Sequence, residues 1–98
     1  MMEMELVLAH SQATGLTRLV ALILANSYVI DWDCTSTTLE SICRWANCSP
    51  AEADRALYEL IALGEWQQVG ACLDGKIMMR LLVRCPVTCD RSVQHLVG

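Results

Sequence analysis

The chain has 98 residues, 54% hydrophobic and 18% charged, against about 45–50% and about 25% in an ordinary soluble domain; this excludes a mostly disordered chain and makes a single packed domain the expectation. Eleven Asp and Glu face seven Lys and Arg, for a net charge of -4 and a pI near 4.9. That balance argues against a non-specific nucleic-acid coat protein, and the apolar surplus points to a partner or to self-association.

The strongest apolar run covers residues 19–25, far short of the roughly 20 residues a membrane span needs. The first five residues are acidic and do not read as a signal-peptide n-region. A cytoplasmic location with no membrane contact is the expectation, with Cys34, Cys43, Cys48, Cys72, Cys85 and Cys89 as free thiols. There is no C-x-x-C pair, and His10 and His95 stand near opposite ends. Structural zinc sites usually show tighter paired spacing, so the cysteines read as small apolar fillers. No metal and no cofactor is expected.

In chain order, residues 1–13 form an N-terminal segment in which 5–10 read either as a short strand or as a helical turn. Thr14 can cap a helix over 16–28 with Leu16, Leu19, Val20, Ile23 and Leu24 at helical spacing. Ala21, Leu22 and Ala25 fill its other side, so it is apolar nearly all round: either central in the fold or half of an interface. Residues 29–35 read as a turn or short strand. Thr37 and Glu40 then have the spacing of a capping box, opening a helix that carries Leu39, Ile42, Cys43 and Ala46 and stops at Asn47.

Ser49-Pro50-Ala51-Glu52 repeats that start signal, with Ser49 as the cap, Pro50 at the first helical position and Glu52 completing the box. The helix it opens is expected to bury Ala53, Ala56, Leu57, Leu60 and Ile61 and to end at Gly64. Residues 66–69 and 77–83 read as the arms of a hairpin around Asp74-Gly75. Ile77, Met79, Leu81 and Val83 share one face of the second arm, and Lys76, Met78, Arg80, Leu82 and Arg84 the other. Pro86 ends the arm; 85–98 form the C-terminal tail, in which 87–98 read as a tail or a short closing helix.

The segment Thr38-Leu39-Glu40-Ser41-Ile42-Cys43, the turn Cys48-Ser49-Pro50 and the run from Ala56 to Trp66 resemble the winged helix-turn-helix family, notably domains from phage and plasmid replication and regulatory proteins. The resemblance covers about residues 14–84 and implies an α+β fold of three helices and a two-stranded C-terminal wing. It makes 50–63 the recognition helix, whose exposed first turns enter the major groove in DNA-binding members. Groove-facing positions normally hold hydrogen-bond donors. Here Glu52, Asp54 and Glu59 accompany only Arg55.

Two functions follow as expectations. The first is a protein-binding module on a winged-helix scaffold, of the kind phages direct against host defences, including anti-CRISPR proteins. Its contacts would be Glu52, Asp54, Tyr58, Glu59 and Trp45, with the acids set against an Arg/Lys groove of a nucleic-acid-handling complex. The second is a DNA-binding regulator or replication accessory using Arg44, Arg55, Lys76, Arg80 and Arg84, which requires those cations to share one face. Either is compatible with a homodimer. Among the tryptophans, Trp66 reads as core, while Trp45 and Trp32 read as candidate interface residues. No P-loop, G-x-G-x-x-G, G-x-S-x-G or H-E-x-x-H motif is present, and no catalytic residue is assigned.

Overall fold

A computed structural model describes residues 2–69 and 76–83. The fold is α+β: four helices pack against a four-stranded antiparallel sheet. Helix α1 spans Met2–His10 and α2 spans Gly15–Asn26. Strand β1 (Tyr28–Val29) and strand β2 (Cys34–Thr38) follow, joined through a 3-10 turn at Ile30–Trp32. Helices α3 (Leu39–Ala46) and α4 (Pro50–Ala62) lead into β3 (Trp66–Gln68) and β4 (Lys76–Leu81). The sheet order is β1-β2-β4-β3.

The N-terminal segment resolves as helix, and it belongs to the same packed unit. Val7 of α1 and Ala13 of the α1–α2 linker lie in the core beside Val20 and Leu24. Helix α2 is central: α1, α3, α4 and β2 all pack against it. That accounts for most of its apolar surface, though Leu19 stays exposed. Thr14 precedes α2 in extended conformation, but its side chain makes no capping hydrogen bond.

The start of α3 differs by one residue from the sequence expectation. Thr38, not Thr37, is the cap, and its Oγ1 accepts from the Ser41 amide at 3.0 Å. Thr37 lies one residue earlier in β2, opposite Ile77, and Thr38, the last residue of the strand, pairs opposite Lys76 as well as capping the helix. Glu40 therefore completes no box; it pairs with Arg44 one turn on, at 3.2 Å. Asn47 ends α3 in the left-handed region (φ 54°), a conformation that Asn tolerates better than most residues. The Cys48 amide donates to the Cys43 carbonyl at 3.1 Å, the longer of the two bonds of a Schellman motif.

Helix α4 begins as its sequence predicts. The Glu52 amide donates to Ser49 Oγ at 3.1 Å and the Ser49 amide donates to Glu52 Oε1 at 3.0 Å. At its end Gly64 takes φ +75°. Its amide reaches the Ile61 carbonyl and the Glu65 amide reaches the Leu60 carbonyl, again a Schellman pair. Ala53, Ala56, Leu57 and Leu60 are buried as expected, but Ile61 is exposed.

The hairpin arms pair in antiparallel register, with Trp66 opposite Leu81 and Gln68 opposite Met79. Met79, Leu81 and Val83 are buried and Ile77 packs against the core, as the alternation requires. The β3–β4 pair is not a separate two-stranded wing as expected, because β2 pairs with β4 along four residues and β1 with β2. Buried Thr35 donates from Oγ1 to the Leu24 carbonyl at 2.5 Å, so strand β2 is also tied to the end of α2. The Asp74-Gly75 turn, the 85–98 tail and Cys72, Cys85 and Cys89 lie outside the described residues. Among the described residues, no helix is long and apolar enough to cross a membrane.

Candidate interaction surface

Helix α4 presents two different flanks. Asp54, Tyr58 and Ile61 stand at i, i+4 and i+7, so they line up on one side. They border a groove of about 470 Å³ whose other wall and floor are Leu39, Leu57, Gln68, Ile77 and Met79. Tyr58 is 70% exposed above it. The groove lies where α4, the start of α3 and strands β3 and β4 meet, and its lining is largely apolar.

Glu52, Arg55 and Glu59 occupy the opposite flank, beside Leu16 and Thr17 of α2. Thr17 Oγ1 donates to Glu59 Oε2 there. The Glu52 carboxyl is held below its ordinary range, first by the hydrogen bond from the Ser49 backbone, then by the Ser49 hydroxyl, with Arg55 adding attraction. The three acids predicted to act together are thus divided. Asp54 borders the apolar groove, while Glu52 and Glu59 cap and brace the helix on the α2 side. Trp45, on α3, is 71% exposed.

The predicted cations are divided as well. Arg44 is exposed on α3 and paired with Glu40. Arg55 faces the α2 flank of α4. Lys76 and Arg80 lie on β4, on the face opposite Met79 and Leu81. Arg80 Nε donates to the Asp33 carbonyl at 3.2 Å and stands 3.8 Å from its carboxylate. Arg84 lies outside the described residues. Of the five predicted cations, the four that are described lie on three elements, α3, α4 and β4, and Arg44 and Arg80 each have a carboxylate partner.

Two features escaped the sequence reading. The first is the groove itself: Ile61, Ile77 and Met79 carry an ordinary core pattern, and nothing in the spacing marks where that core opens. The second is Glu65. It follows the terminal glycine of α4, where a solvated charge is the ordinary expectation, yet it is only 7% exposed. Its carboxylate accepts from Ser11 Oγ at 2.5 Å and from the Gln12 amide at 2.6 Å, and its carbonyl accepts from the Leu82 amide at 2.8 Å. It ties the α1–α2 linker to the α4–β3 corner. A polar recess of about 700 Å³ opens beside it.

The β1–β2 connection carries a second exposed pair, Ile30 at 81% and Trp32 at 58%. The Tyr28 hydroxyl donates to Asp33, which follows them in the left-handed region. Among the described residues, no three of His, Cys, Asp and Glu gather as a metal site. Compared with protein-family models, curated proteins and solved structures, the chain matches none.

Proposed function

We propose that the chain is a non-enzymatic winged helix-turn-helix module that binds a protein partner through the groove beside α4. The order α2, α3, α4, β3, β4 is the one this reading requires; α1 precedes it, and β1 and β2 widen the wing into a sheet. The observation that carries the proposal is the groove, with Tyr58 and Ile61 exposed over an apolar floor and Asp54 at its border. An aromatic anchor next to a preformed apolar cleft is the kind of feature that concentrates binding energy. The partner that fits brings an apolar side chain into the cleft and a Lys or Arg to Asp54.

The more specific proposal is an inhibitor of phage type, directed at a nucleic-acid-handling host complex in the manner of an anti-CRISPR protein. It rests on the net charge of -4 and on acids at helix positions where a DNA reader needs donors. The placement of Arg44, Arg55, Lys76 and Arg80 on three different elements, with Arg44 and Arg80 already paired to carboxylates, weighs against the DNA-binding alternative.

The test is comparative capture from host lysate with the wild-type chain, with Tyr58→Ala and Asp54→Lys, and with Glu40→Gln as a surface control. A protein retained by the wild type and the control, and lost with both groove variants, is the expected result. Retention unaffected by either groove variant overturns the assignment.

A further inference from the structure

Cys43 and Cys48 are absent from the binding surface just described, yet the fold brings them together. Asn47 turns the chain back at the end of α3, and the Cys48 amide closes onto the Cys43 carbonyl at 3.1 Å. In a Schellman turn the residues at these two positions commonly touch through their side chains. The Cys43 thiol is close enough to help raise the pKa of the Cys48 thiol, and both side chains pack against the core at this corner. Both are partly exposed and both are free. Disulfide closure needs Cα atoms no more than about 6.8 Å apart, a span that the backbone hydrogen bond between the same two residues keeps within reach. Cys34, by contrast, is buried on β2.

We propose that Cys43 and Cys48 form a dithiol modification site, closed to an intramolecular disulfide by a low-molecular-weight disulfide such as oxidised glutathione. One cysteine, as thiolate, attacks a sulfur of glutathione disulfide; that S–S bond breaks and one glutathione thiolate leaves. The second cysteine gives its proton to solvent and attacks the protein sulfur of the mixed disulfide, releasing the second glutathione thiolate. The two protein thiols are oxidised by two electrons in all, and glutathione disulfide is reduced to two glutathione thiols. The closed loop holds Trp45 and Asn47 and ends one residue before the Ser49 cap, so oxidation staples the corner that sets α3 against α4.

The chain supplies its own readout. Cleavage after Arg18, Arg44 and Arg55 leaves Cys48 as the single cysteine of peptide 45–55 and places Cys43 in peptide 19–44. The reduced full-length protein is incubated with oxidised glutathione, quenched with iodoacetamide and digested without reductant. The expected result is loss of alkylated 45–55 and appearance of 19–44 linked to 45–55. Fragment spectra place the link at Cys43; it persists in Cys34→Ser and disappears in Cys43→Ser and Cys48→Ser. Cys48 remaining alkylated, stopping at the glutathione adduct or joining any other cysteine overturns the proposal.

Discussion

Removing the Glu65 carboxylate should loosen the N-terminal third of the molecule. Glu65 accepts two hydrogen bonds across more than fifty residues of sequence, from Ser11 Oγ at 2.5 Å and the Gln12 amide at 2.6 Å. A hydrogen bond to a charged group contributes about 1.5–3 kcal/mol. Against that, the alanine variant no longer buries a carboxylate, which offsets part of the loss. The net for Glu65→Ala is about 3 kcal/mol. A domain this small shifts about 4–8 °C per kcal/mol, so the melting temperature should fall by about 15 °C. Glu65→Gln keeps one carbonyl oxygen and loses the charge, and should lose about half as much. Thermal unfolding followed by circular dichroism gives both numbers. Amide exchange at Gln12 should accelerate in the alanine variant well before global unfolding. Wild-type melting in both variants would refute the idea that this carboxylate ties the linker to the α4–β3 corner.

Four further outcomes follow from the same structure. Ser49→Ala removes the cap of α4 and should cost about 1 kcal/mol, a drop of about 4–8 °C in melting temperature. Because the folded-state pKa of Glu52 is depressed, its stabilising contribution is present above its unfolded pKa and is lost as pH falls through the folded value; the melting difference between wild type and Glu52→Gln should close in acid. Leu60→Ala empties a fully buried position at the centre of the core and should cost about 2–5 kcal/mol by chemical denaturation, with a cavity left behind. Burial raises the Cys48 pKa, with the Cys43 thiol and the Glu52 carboxylate adding to it. Its alkylation rate in the folded chain should therefore keep rising with pH beyond the point where an ordinary cysteine levels off, and Glu52→Gln should lower that point.

Helix α4 was legible because independent signals agreed on it: a cap, a proline and a glutamate at fixed offsets, an apolar period, and a glycine at the end. The alternation in β4 was legible for the same reason, since one face is buried and the other is not. The start of α3 slipped by one residue because Thr37 and Thr38 are equally good caps; both pair with β4, and it is Thr38, the last residue of the strand, whose side chain takes up the Ser41 amide. Strand β2 reads Cys-Thr-Ser-Thr-Thr, with no apolar alternation to announce it; its place is set by β1 and β4 on either side. The all-apolar α2 is central in the fold, with α1, α3, α4 and β2 packed around it. For the site, sequence showed which residues are charged or aromatic but not which flank they share. Asp54 and Glu52 are two residues apart and face different neighbours, because two steps along a helix turn a side chain through about 200°.

The most direct test of the account is a titration of the full chain against a fluorescent DNA duplex at about 50 mM salt, where phosphate contacts are least screened. A protein whose cations are dispersed and partly paired, and whose exposed helix carries acids, should show no anisotropy change up to protein concentrations where non-specific DNA binders saturate. Binding that weakens steeply with added salt, and that falls further in Arg55→Glu or Lys76→Glu, would contradict the protein-directed reading and restore α4 and β4 as a DNA-reading surface.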